Sequence, residues 1–223
     1  MTRSVGARGV ALLGVMLFWA GVLGAGVLVS GYSAREDYIS SLAGRGSQVA
    51  LLGVGALLAS AAAHLVTSWA VLAAWRSRVC ASFIFAAAVA STVLAVFRQS
   101  CPDGPAGCAR TDTPDDDWVD AVHRAGVGAY ELFVLAAMLT LAVGALRGRA
   151  AWPRWLGVVS LVFAAGSLLL VSQTSGEQVG LWQRIWLANN LAWLLIVAGV
   201  ATMRDPADGR PTAFPELGIV HRL

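Results

Sequence analysis

Lysine is absent from this chain, and all sixteen of its basic side chains are arginine. Charge of either sign is scarce, at 13% of residues, against roughly 25% in average globular domains. So small a share of charge points to lipid rather than water as the main solvent. Only three histidines and three cysteines occur in 223 residues. A paired zinc site asks for more Cys or His at ligand spacing. The single histidine inside an apolar run, His64, gives no support to haem held between two histidines. The HExxH, GxSxG and EF-hand patterns are missing as well, which weakens the metalloprotease, serine-hydrolase and calcium-loop readings. No cofactor and no metal site is assigned.

Apolar runs fill the space that charge leaves empty. Hydrophobic residues make up 57% of the chain, and the mean hydropathy is +0.69. Arginines and one glutamate bracket uncharged runs of 26, 30, 19, 22 and 19 residues: Arg8 to Arg35, Arg45 to Arg76, Arg78 to Arg98, Arg154 to Glu177, and Arg184 to Arg204. A bilayer core of about 30 Å is crossed by about 20 helical residues. Val127 to Leu146 forms one more such segment, interrupted only by Glu131. Backbone groups in lipid must pair within their own segment, so each run is read as a helix. The sequence predicts an all-α, polytopic membrane protein, a bundle of six transmembrane helices at about 9–30, 49–75, 79–98, 121–146, 155–174 and 183–203. A tail of residues 1–8 precedes the bundle, and an irregular tail, 204–223, follows it. The first run is too long for a signal-peptide core and lacks a clear A-x-A site, so it reads as a retained anchor.

The pI of about 9.1 invites a nucleic-acid partner, but the distribution of arginine argues against one. Ten arginines and three acids fall in the two tails and in the loops after the second and fourth helices; six arginines and ten acids fall on the other side. Arginine bias in short loops sets orientation. Both termini are therefore expected in the cytoplasm, and the loops at 31–48 and 99–120 outside. No nucleic acid is expected as a partner, and no protein partner is indicated. The bilayer is the expected surrounding.

The outer loops gather nearly all the polar chemistry, above all in FRQSCPDGPAGCARTDTPDDDWVDAVHRAG, residues 97–126. Cys101 and Cys108 lie there in an oxidising setting and are expected to form a disulfide. Cys80, near the opposite face, reads as a packing residue. Thr113, Pro114 and the acids Asp115 to Asp117 have the order of a helix start; a divalent-metal site is the weaker alternative. Counting back from Arg147 puts His123 at head-group level, with Tyr130 on the same face, and Glu131 about 6 Å inside at 1.5 Å per residue. A carboxyl in the membrane core is normally paired. One reading is an ion pair with Arg98, Arg124 or Arg184, of which Arg184 is the expected shared counter-charge. The other is an outward-facing polar pocket for an anionic or zwitterionic head group. His64 reads as structural, with Asn189 and Asn190 as candidate partners for it or for one another.

Four stretches in order, GYSAREDYISSLAG, VFRQSCPDG, DAVHRAG and GLWQRIW, resemble a bacterial membrane family catalogued as domain of unknown function 998. They span about residues 10–200. The polar positions matching that family are Tyr32, Ser33, Ser40, His123, Gln183 and Arg184, and the arginine count independently puts all six outside. Where family members commonly carry a Phe-Pro-Thr-Asp-like run, this chain has Phe97, Arg98, Gln99 and Ser100; where a His-Gly pair often precedes the second histidine, it has Val119 and Asp120. The resemblance implies a bacterial plasma membrane and no particular activity. The candidate binding set is Ser40, Arg98, His123, Tyr130, Glu131, Gln183 and Arg184. The favoured expectation is a protein that binds or transports a lipid or small amphiphile without catalysis. Its alternatives are a structural or assembly subunit, and a membrane hydrolase with His123 as base or metal ligand and Ser40 or Asp120 as partner.

Overall fold

The computed structural model describes residues 2–100, 118–148, 152–175 and 178–203. Cys101, Cys108 and the helix-start motif from Thr113 to Asp117 lie outside these residues. Among the described residues no disulfide is seen, and Cys80 is free and buried.

Seven helices run in the order α1 Thr2–Leu28, α2 Ile39–Leu42, α3 Ala50–Trp75, α4 Arg78–Val96, α5 Trp118–Leu146, α6 Arg154–Val171 and α7 Val179–Thr202, and no strand is described. Six of them, all but α2, are long and apolar enough to cross a membrane. The protein is a multi-pass membrane protein.

The expected spans are recovered with shifted ends. α1 reaches back through Arg8 to Thr2, and α7 starts at Val179 rather than 183. A charged residue can sit inside a helix when its head group finds partners. Arg184 does so by turning back along α7 to the carbonyl of Gly180, 2.8 Å away. α2 was not anticipated, because four residues are too few to carry a periodic signal.

Successive spans are antiparallel neighbours. A Cβ built on Gly14 of α1 would lie 2.7 Å from Ala59 O, and one on Gly21 would lie 3.1 Å from Leu52 O, so the two helices approach backbone to backbone. Small residues permit this in lipid, where close packing rather than water exclusion holds helices together. Cys80 Sγ reaches Ala137 O between α4 and α5. Trp193 Nε1 donates to Ser160 Oγ, 3.0 Å, between α7 and α6. The neighbours form a closed ring, α1–α3–α4–α5–α6–α7–α1, with α3 also touching α7 across it.

The turn between α3 and α4 is only two residues long, and Arg76 ends α3 in the left-handed region at φ 51°, its N–H bonded to Leu72 O at 3.0 Å. This turn, the end of α5 and the start of α6 share one end of the bundle with both described chain ends. α2 and the loop before it sit at the other end.

Candidate functional site

The loop from Gly31 to Tyr38 and α2 fold against the start of α7. Leu181 N–H donates to Arg35 O, 3.0 Å, Ile39 N–H donates to Gln183 Oε1, 2.6 Å, and Tyr38 OH donates to Thr174 O, 2.9 Å. Gly180 makes this possible, since any Cβ there would strike Asp37 O and lie 2.9 Å from Ala34 O. Arg184 completes the strap. Its guanidinium donates to Asp37 O, 3.1 Å, and to the Tyr32 hydroxyl, and lies over the Tyr32 ring at 5.5 Å from the centroid. Burial pushes the Tyr32 hydroxyl above its ordinary value of 10.0, against the opposing pull of Arg184. Ser33 closes the same loop locally, its N–H donating to Asp37 Oδ2 at 2.7 Å.

A second clamp holds the ends of α4 and α5. Asp120 accepts from Ser100 N–H at 2.6 Å and from the Ser100 hydroxyl, and Arg45 lies 3.6 Å from its Oδ1. Arg45 N–H donates to Gln99 O, 2.9 Å. Asp120 thus ties Ser100 and Arg45 together and makes no hydrogen bond to His123 among the described residues.

Between the two clamps lies a cavity of about 40 Å3. A water needs about 10–15 Å3 of such space, so a few waters or one small polar group fit. Its polar lining is Ser40, Ser60, Ser91, His123, Tyr130 and Gln183; Phe18, Leu57, Leu94, Val127, Trp186 and Leu187 are among its other walls. Among the described residues no charged side chain lines it. His123 Nδ1 sits 2.8 Å from Phe97 O. A carbonyl only accepts, so Nδ1 carries the hydrogen, and in the neutral ring Nε2 is a bare acceptor. That Nε2 is buried and has no hydrogen-bond partner among the described residues. Among the described residues, no protein hydrogen bond is made by the hydroxyls of Ser40, Ser60 and Ser91 or by Gln183 Nε2.

Below the cavity, Tyr130 links its lining to His64. The Tyr130 hydroxyl is 3.4 Å from His64 Nε2, and His64 Nδ1 lies 2.8 Å from Ser60 O, one turn earlier on α3. The rings meet edge to face at 5.4 Å. Tyr130 also meets the Trp186 ring, whose centroid is 6.0 Å away.

Glu131 is bound differently from expectation. It has no arginine partner. Its Oε2 accepts from Trp186 Nε1 at 3.0 Å and from Asn190 Nδ2 at 3.1 Å. Its Oε1 lies 2.8 Å from Ser167 Oγ, which is itself 2.7 Å from Asn190 Oδ1. The helix rotation turns Glu131 toward α6 and α7, while Arg184 is committed to the loop, so the expected Glu131–Arg184 pair does not form. Asn189 and Asn190 likewise serve α6 and Glu131, not His64: Asn189 Nδ2 donates to Phe163 O, 3.0 Å, and to Asn190 Oδ1, 3.3 Å.

Of the residues singled out from sequence, Ser40, His123, Tyr130 and Gln183 line one cavity. Tyr32, Ser33 and Arg184 build the strap beside it, and Glu131 anchors the network beneath it. Arg98 is apart: its side chain makes no hydrogen bond or ion pair among the described residues. Ser60, Ser91 and Trp186 were missed. Ser60 and His64 had a signal, standing four apart on one helix face; Ser91 in an alanine-rich run had none. No Ser or Asp side chain among the described residues is hydrogen-bonded to His123. Among the described residues no cluster of three or more His, Cys, Asp or Glu could hold a metal ion.

No match to the chain is found among curated proteins or among solved structures. A family model described as a protein of unknown function, DUF998, matches residues 12–200. That match runs from within α1 to the last turn of α7, so the chain belongs to the DUF998 family.

Proposed function

We propose that this protein binds a small amphiphile or lipid by an uncharged polar head, held in the cavity between α2, α5 and α7. The observation that carries the reading is the buried, unpartnered Nε2 of His123. An idle acceptor in an apolar bundle has a desolvation cost of about 1–3 kcal/mol unless something donates to it. A ligand hydroxyl or amide N–H supplies that donor. The three serine hydroxyls and the Gln183 amide offer complementary partners around it.

The lining also selects against charge. An anionic head group would need a cation, and the terminal guanidinium nitrogens of Arg184 are held by Tyr32, Asp37 and Gly180, leaving only its Nε–H without a partner among the described residues. A neutral hydroxyl-bearing head fits better than the anionic or zwitterionic one expected from sequence. Half-buried Leu57, Val127 and Leu187 form the walls through which an acyl or prenyl chain would leave toward lipid. Entry then displaces aliphatic side chains only, which leaves no polar group stranded.

The arginine distribution supports an orientation in the plasma membrane with both termini cytoplasmic, which places this cavity in the outer half. Alkaline phosphatase fused after Ser47 should be active, and fused after Arg147 inactive; the reverse pattern would overturn the orientation. For the ligand, lipids co-purified in mild detergent should be extracted and weighed for the wild type and for His123→Phe. The wild type should be enriched in a neutral hydroxyl-bearing amphiphile, with at least tenfold less on the variant. Bulk membrane composition on both would sink the proposal.

A further inference from the structure

The opposite end of the bundle carries a second site with opposite chemistry. α3, α4, α5 and the approach to α6 enclose an open groove of about 620 Å3. Trp75 and Trp152 line it, their rings edge to face at 5.5 Å. The two indoles are only 8% and 6% exposed, and neither Nε1–H has a hydrogen-bond partner among the described residues. An indole nitrogen is a donor only, and buried donors are almost always satisfied. Two donors left idle by the described residues in one groove suit an acceptor supplied by a ligand.

Charge points to the kind of acceptor. Arg76 stands on the rim beside Ser77, and Arg78, Arg147 and Arg154 are exposed at the same end. No guanidinium of these four is hydrogen-bonded or ion-paired among the described residues. No described acid shares that end: Glu36, Asp37, Asp120 and Glu131 lie in the α2-side loop or the first half of α5. Below the rim the walls turn apolar, with Val79, Leu139 and Val143 exposed toward lipid. A donor-rich, cationic rim above an apolar wall matches an anionic phosphate head with its chains attached.

We infer that this groove is a binding site for an anionic phospholipid, whose phosphate oxygens accept from Arg76 and the two indoles while its chains lie along α5. The apolar wall favours a lipid over a free phosphate, which would leave Leu139 and Val143 uncovered.

The full-length protein in detergent is titrated with dioleoyl phosphatidylglycerol, dioleoyl phosphatidylcholine or inorganic phosphate, and bound lipid is counted by native mass spectrometry. The expected result is at least tenfold tighter retention of the phosphatidylglycerol, reduced severalfold by Arg76→Gln with Arg78→Gln. Trp152→Phe keeps the ring pair and deletes one N–H, so it should weaken the same lipid while leaving the phosphatidylcholine unchanged. Equal retention of both lipids, or a preference untouched by all three substitutions, would overturn the site. Competition by inorganic phosphate as effective as the lipid itself would overturn the assignment to a phospholipid.

Discussion

Ser167 has one hydroxyl proton and two acceptors in reach, Glu131 Oε1 at 2.8 Å and Asn190 Oδ1 at 2.7 Å. Asn190 cannot relieve this by turning its amide, because its Nδ2 already donates to Glu131 Oε2. An amide at position 131 would supply the missing donor: Nε2 to Ser167, with its oxygen still accepting from Trp186 and Asn190. Glu131→Gln is therefore expected to change stability by no more than about 1 kcal/mol. Glu131→Ala strands Asn190 Nδ2 and leaves a void, at about 2–3 kcal/mol. Thermal unfolding in detergent distinguishes them, and equal losses would show that the network contributes no hydrogen-bond specificity. The sequence placed this carboxyl at the right depth by simple counting from Arg147, but gave it the wrong partner. Depth follows from rise per residue. Partnership depends on which way α5 is rotated, and a helix apolar on every side has no stripe from which to read that rotation.

At the scale of elements, long apolar runs between charges were enough to find five spans, and an apolar run interrupted only by Glu131 gave the sixth. Their ends are less legible: α1 runs back past Arg8 to Thr2, and α7 begins at Val179, four residues before the expected start. α2 and the strap before it were recognisable only as a polar loop, since the hydrogen bonds that shape them join residues about 140 positions apart, Ile39 with Gln183 and Asp37 with Arg184. The α1–α3 seam is the element contact most directly open to test. Gly14→Ala puts a methyl 2.7 Å from Ala59 O and 3.0 Å from Ala63 Cβ, whereas Gly24→Ala meets nothing within 4 Å. The first should cost about 1–3 kcal/mol by overpacking. The second should be neutral or slightly stabilising, since alanine loses less backbone freedom in a helix than glycine does. A common effect of both substitutions on the melting temperature would mean that α1 does not dock on α3 as described.

For the whole molecule, the two ends of the bundle divide the chemistry. At the α2 end two clamps, Arg184 with Tyr32 and Asp120 with Ser100 and Arg45, flank a cavity whose described lining is uncharged. The other end leaves its arginines exposed and its indole donors idle. The division of arginine was visible in the sequence as a count; the separation of clamp from cavity was not, because it depends on where each side chain turns after the helices pack. The central claim is that the cavity exists to receive a ligand's polar head. A high-resolution map of the protein in nanodiscs of native lipid tests it most directly. The expected result is ordered density within hydrogen-bond distance of His123 Nε2, continuous with a chain leaving past Leu57 or Leu187. Isolated water peaks in that cavity, with no density passing those walls, would contradict it.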